Sequence, residues 1–187
     1  MKKIAPVVIV IAILLIIGKI IVAGEVSDLE KDIVESVKKG GYYTALEDAK
    51  DIEFQGEKMS RKTAKLIEDV KLYGAAQAEM EKGEYAEMNL GKIKAILDEM
   101  NGSYKKYDKF KSDVEEFKEK VDSLEEYGNL GVELVEEVET LIAEGEMDEA
   151  KRRISEYKSD ERYTYMPEKL KSILFDYMNE TSGMFQR

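Results

Sequence analysis

The chain has 187 residues, of which 43% are hydrophobic and 37% charged, so it carries enough apolar side chain for a packed core and an unusually polar surface. Its net charge is −11, and subtracting the three lysines of residues 1–24 leaves −14 on the rest. Such a surface repels phosphate backbones and anionic head groups, which argues against nucleic acid as a partner. Cysteine and histidine are both absent. That removes disulfides, thiol nucleophiles, thiolate zinc sites and the commonest general base and metal ligand.

Residues 4–23 read IAPVVIVIAILLIIGKIIVA, with Lys19 the one charge. Twenty helical residues rise about 30 Å, the thickness of a bilayer core. Lys2 and Lys3 precede the run, and Glu25, Asp28 and Glu30 follow it. The positive-inside rule then places the N-terminus in the cytoplasm and residues 25–187 outside it. A retained signal anchor is the first reading of residues 1–24. A signal peptide cleaved after Ala23 or Gly24, giving a secreted protein, is the second. The anchor is preferred because Ile21 stands where a peptidase wants a small residue. A helix buried in a soluble core is the least favoured reading.

Behind this segment the sequence predicts an all-α domain, since two prolines and no alternating β-branched run leave little for a sheet. Three segments align on a glycine: Gly40, Gly83 and Gly145. Eleven, seven and three residues before them stand Leu29, Ile33 and Val37; Leu72, Ala76 and Met80; and Leu134, Val138 and Ile142. Spacing near four marks one helical face. Two, five and twelve residues after them stand Tyr42, Ala45 and Ile52; Tyr85, Met88 and Ala95; and Met147, Ala150 and Tyr157. The unit is therefore a helix, a glycine turn near 40–41, 83 or 145, and a returning helix.

These segments resemble the turn region of tetratricopeptide repeats, where a glycine ends one helix and an aromatic and a small residue follow at +2 and +5. The resemblance covers about 13 residues at each of the three places. It implies a stack of hairpins offering a surface to protein partners. The glycines here are 43 and 62 residues apart, against a family period of 34. The expected architecture is thus an irregular array or bundle of antiparallel helical hairpins.

A long helix is predicted over about 104–127, with Ser103 as its N-cap. Tyr107, Phe110, Val114, Phe117, Val121, Leu124 and Tyr127 form an a/d seam along it. The segment Met88–Met100 folding back, or a second chain, is the expected cover. Gly128, Asn129 and Gly131 are expected to break or kink the helix. A new stripe of Leu134, Val135, Val138, Leu141 and Ile142 runs on to Gly145. Residues 159–166 read as a connection, with Tyr163, Tyr165 and Met166 as the expected partner-contact patch. Pro167 suits the first turn of a last helix, which carries Leu170, Ile173, Leu174, Tyr177 and Met178 on one face.

Three Ser-x-x-Lys pairs occur, at Ser36/Lys39, Ser103/Lys106 and Ser155/Lys158, without the companion motifs of acylating enzymes. The acids Glu133, Glu136, Glu137 and Glu139 lack calcium-loop spacing and read as a solvated face. Asn101 and Asn179 head N-glycosylation triplets. No catalytic residue, metal or cofactor is expected. The functional expectation is a membrane-anchored interaction module, held by the bilayer through residues 4–23 and binding a protein partner. The alternative is a spacer that forms a homo-oligomer through the Tyr107–Tyr127 seam.

Overall fold

The computed structural model describes residues 24–81 and 89–183. The apolar run 4–23 and the turn at Gly83 lie outside the described residues. Among the described residues every regular element is helical, and no helix is long and apolar enough to cross a membrane. The elements are α1 (24–38), α2 (Tyr42–Phe54), α3 (Arg61–Glu81), α4 (Leu90–Asp98), α5 (Asp108–Glu144), α6 (Met147–Lys158) and α7 (Glu168–Gly183). Short 3₁₀ turns at Ser103–Lys106 and Glu161–Tyr165 precede α5 and α7. The chain forms two compact units, one of residues up to Lys71 with Met100–Asp113, the other of Leu72–Glu99 with Val114 onward.

In the first unit α1 ends in a left-handed glycine, Gly40, at φ 78°. The Gly41 amide donates to the Ser36 carbonyl at 2.8 Å and the Gly40 amide to Val37 at 3.1 Å. These bonds satisfy the last carbonyls of the helix in a Schellman motif. A side chain at φ near +80° would be strained, which is why glycine stands there. The turn sends α2 back along α1 and buries Ile33 and Val37 with Ala45, Ala49 and Ile52. Phe110, at the start of α5, closes this core against Tyr42 (centroids 4.7 Å apart) and Tyr104 (5.8 Å).

The α1–α2 hairpin brings like charges together. Asp48 is partly buried, and that burial, with the carboxylates of Asp32, Asp51 and Glu47, raises its carboxyl above the usual Asp value. A raised folded-state pKa contributes stability below the unfolded value and loses it as pH climbs through the folded one. Asp48→Asn should therefore match the native protein in acid and exceed it at neutral pH, by less than about 1 kcal/mol because the site is largely solvated. Urea midpoints at acid and neutral pH, at low and high salt, measure this; a variant weaker than the native chain at pH 7 would refute it.

The connection into α5 is organised by Asp69 of α3, whose side chain is fully buried. Its carboxylate accepts the Asn101 amide at 2.7 Å and the Tyr104 amide at 3.0 Å. Asn101 itself donates its side-chain nitrogen to the Lys65 carbonyl at 2.8 Å and accepts from the Ser103 hydroxyl at 2.6 Å. A glycan on Asn101 would replace one of that nitrogen's two hydrogens, which serve the Lys65 carbonyl and the Glu68 carboxylate. Ser103 is thus not the cap of the long helix. It opens the 3₁₀ turn, and α5 starts at Asp108.

In the second unit the seam of α5 is filled by the chain itself. Tyr73 of α3 meets Phe117 edge-on, with centroids 5.7 Å apart. Helix α4 lies along the same helix, with Lys94 bridging Asp122 at 2.7 Å and Glu125 at 2.6 Å. Val121, Leu124 and Tyr127 are buried. The expected break at Gly128–Gly131 does not occur, because α5 is one helix of 37 residues through both glycines.

The turn from α5 to α6 repeats the Gly40 geometry. Gly145 sits at φ 83°, with the Glu146 amide on Leu141 at 2.8 Å and the Gly145 amide on Ile142 at 3.1 Å. Ala150 and Ile154 of α6 then pack on Leu134 and Val138, and Leu174 of α7 completes the cluster. Pro167 stands just before α7, with its carbonyl accepting the Leu170 amide at 3.0 Å.

Candidate partner-binding groove

The groove lies in the second unit, where a tyrosine pair outside its lining joins α5 to α6. Tyr127 faces inward because it ends the α5 seam, and Tyr157 occupies the position twelve residues after Gly145. Their rings stack at 4.2 Å and 5°. Each hydroxyl donates to the other's carbonyl, Tyr157 to Tyr127 at 3.0 Å and Tyr127 to Tyr157. The guanidinium of Arg162 covers Tyr127 at 4.6 Å from the ring centre. Asp160, at 2.7 Å, and the Ser123 hydroxyl, at 3.1 Å, hold that guanidinium in place.

Desolvation dominates the electrostatics of the pair. Burial pushes the Tyr157 phenol up to about 12 and raises Tyr127 further. The hydrogen bond from Arg162 holds the Asp160 carboxyl below its usual range. These groups bond to one another and tie α5 to α6 and its following turn.

An apolar groove of about 420 Å³, lined by other residues of α5 and α7, lies in the same unit. Leu124, Gly128 and Val132 of α5 form one side, and Tyr165, Met166, Leu170 and Ile173 form the other. Glu125 and Lys169 sit on its lining, and Leu90 of α4 contributes at one end. Gly128 and Gly131 lie three residues apart, hence on one helical face. A methyl at Gly128 would stand 3.3 Å from the Met166 Cε, and one at Gly131 would stand 2.7 Å from Leu170 Cδ2. Their missing side chains let α7 and its lead-in approach the α5 backbone.

The three residues expected to form an exposed patch lie beside this groove but are not equally accessible. Met166 is buried at 4% exposure and serves as floor. Tyr163 is half-buried against the Tyr157 edge, with centroids 6.1 Å apart. Tyr165 is half-buried, with the Lys120 ammonium 4.5 Å from its ring centre. The accessible apolar surface is instead Val132, at 58% exposure, with the half-buried Leu170 and Ile173. A Gly-x-x-Gly pair within a long heptad pattern was the signal available in the sequence for this close approach.

Along and beyond the groove the second half of α5 is one-sided in charge. From Glu125 to Glu144 it carries Glu125, Glu126, Glu133, Glu136, Glu137, Glu139 and Glu144 and no lysine or arginine. Arg153 of α6 pairs with Glu137 at 2.6 and 2.8 Å, and the Tyr177 hydroxyl donates to Glu139. Glu126, Glu133 and Glu136 are exposed to solvent, as is Glu125, which bridges to Lys94. Comparison with family models, with curated proteins and with solved structures finds no match to the chain.

Proposed function

We propose that the protein is a membrane-anchored, non-enzymatic interaction module, tethered by residues 4–23 and displaying its helical hairpins outside the cytoplasm. Its groove takes the apolar face of an amphipathic helix from a protein partner with basic flanks. The observation that carries this reading is the apolar groove set against the half of α5 that holds acids alone. An apolar stripe would enter between Val132 and Ile173, and lysine or arginine beside it would meet Glu133 and Glu136, Glu125 being already bridged to Lys94. The two Schellman turns at Gly40 and Gly145 support treating the domain as an array of hairpins, as in tetratricopeptide-like proteins. Self-association through the Tyr107–Tyr127 seam is disfavoured, because Tyr107, Phe110, Val114, Val121, Leu124 and Tyr127 are buried within the chain. The absence of histidine and cysteine supports a binding role over catalysis.

A photo-crosslinking amino acid at Val132, in the full chain in its native membrane, tests the reading. The expected result is one dominant protein adduct that Ile173→Glu abolishes and that the same probe at Tyr43, in the first unit, does not give. Identical adducts from both probe positions would sink the groove as the docking site.

A further inference from the structure

Phe54 ends α2 and is 93% exposed, an unusual setting for so large an apolar side chain. No part of the described chain covers it. The chain turns immediately after it through Gly56 at φ 73°, then runs Glu57, Lys58, Met59, Ser60, Arg61 and Lys62. That stretch holds three cations against one acid in a chain of net charge −11. Lys58, Arg61 and Lys62 are all solvent-exposed.

The position of this turn in the first unit gives the exposure a purpose. Asp32 and Asp48 stand equally far from Gly40 and repel one another, as antiparallel pairing about that turn requires. The same pairing sets Phe54 level with Val26. The Ser60 amide donates to the Glu30 carboxylate, which fixes the turn beside α1. Glu30 is six residues, about 9 Å of helix, from Gly24. Phe54 and its cationic neighbours thus gather at the end of α1 from which residues 4–23 continue.

We propose that the Phe54–Lys62 turn is a second, peripheral contact with the bilayer that holds the anchor, Phe54 entering the boundary between head groups and acyl chains and Lys58, Arg61 and Lys62 meeting lipid phosphates. This rests on residues 4–23 being the membrane span. An exposed aromatic ring followed four to eight residues later by lysine and arginine suits a membrane interface. The acids Glu25, Asp28 and Glu53 stand at the same end, so the exposed Phe54 ring and the local contacts of Lys58, Arg61 and Lys62 with phosphate, not a net positive charge, carry the attachment. A span alone leaves a domain free to tilt. A second contact one hairpin-length from Gly40 restrains α1 and α2 relative to the bilayer.

The chain has no tryptophan, so Phe54→Trp installs a single fluorophore where side-chain cover is absent. The full-length variant is reconstituted into phosphatidylcholine vesicles carrying bromine high on their acyl chains. Its indole emission should shift to the blue and lose about half its intensity relative to unbrominated vesicles, as expected for a ring seated 5–10 Å into the interface. Tyr43→Trp is the comparison, since Tyr43 is 72% exposed at the opposite end of the hairpin. Emission from that variant should keep the position and intensity of a solvated indole. If the protein floats with vesicles after an alkaline wash but Phe54→Trp is quenched no more than Tyr43→Trp, the turn contact is wrong and the anchor stands. If the protein does not float, both fall.

Discussion

Replacing Asp69 with alanine should destabilise the first unit by about 3 kcal/mol, since the lost groups are two hydrogen bonds to a carboxylate. The two bonds are not equal. Asn101 lies at the surface, so its freed amide can bind water, while Tyr104 is buried and its amide would be left without an acceptor. The larger share of the loss therefore comes from Tyr104, with the methyl of alanine recovering nothing from the vacated space. Asp69→Asn keeps one carbonyl oxygen and should lose roughly half as much. Urea unfolding gives the totals, and amide exchange at Tyr104 locates them. Protection at that amide should collapse in the alanine variant and fall only partly in the asparagine one. An alanine variant within about 0.5 kcal/mol of the native chain would show that the carboxylate is not what seats the turn.

Asp69 also shows where reading a sequence ends. The apolar face of α3 was visible as Leu72, Ala76 and Met80, because a period near four needs no knowledge of what lies opposite. A buried acid on that helix looks like one more polar residue until Asn101 and Tyr104 are brought to it across more than thirty residues of chain. The same limit applies to Ser103. A serine before a heptad pattern is a good helix cap by local rules, but the Asn101 side chain occupies it and α5 begins five residues later. The glycine turns at Gly40 and Gly145 were legible because a left-handed residue is a local demand. The stripe after each turn was only partly so, since Ala49 and Ile154, both nine residues past the glycine and both buried, complete it. Tyr165 and Met166 line the groove and Tyr163 lies nearby. Which of them faced solvent depended on Gly128 and Gly131, whose role is visible only once α7 lies against them.

Those glycines give the second large effect, with a sign opposite to the one helix propensity supplies. Alanine in place of glycine inside a helix gains about 1 kcal/mol. Gly74 of α3 is exposed, and a methyl there would meet nothing within 4 Å, so Gly74→Ala should realise most of that gain. At Gly131 the added carbon would stand 2.7 Å from both Leu170 Cδ2 and Tyr157 Cζ, with the Tyr157 hydroxyl nearer still. A flexible side-chain end could swing away, but Tyr157 is stacked on Tyr127 and hydrogen-bonded to its carbonyl. Moving it forfeits about 1 kcal/mol of ring contact and a comparable hydrogen bond, and moving Leu170 displaces α7. The net expectation for Gly131→Ala is a loss of about 2 kcal/mol, because the clash outweighs the propensity. Adding Tyr157→Phe removes the nearest atom, so the double variant should be more stable than the two single losses predict together. Urea unfolding of Gly74→Ala, Gly131→Ala, Tyr157→Phe and the double variant reads all of these numbers. If Gly131→Ala were as stable as the native chain, the close seat of α7 on α5, and with it the shape of the groove, would have to be given up.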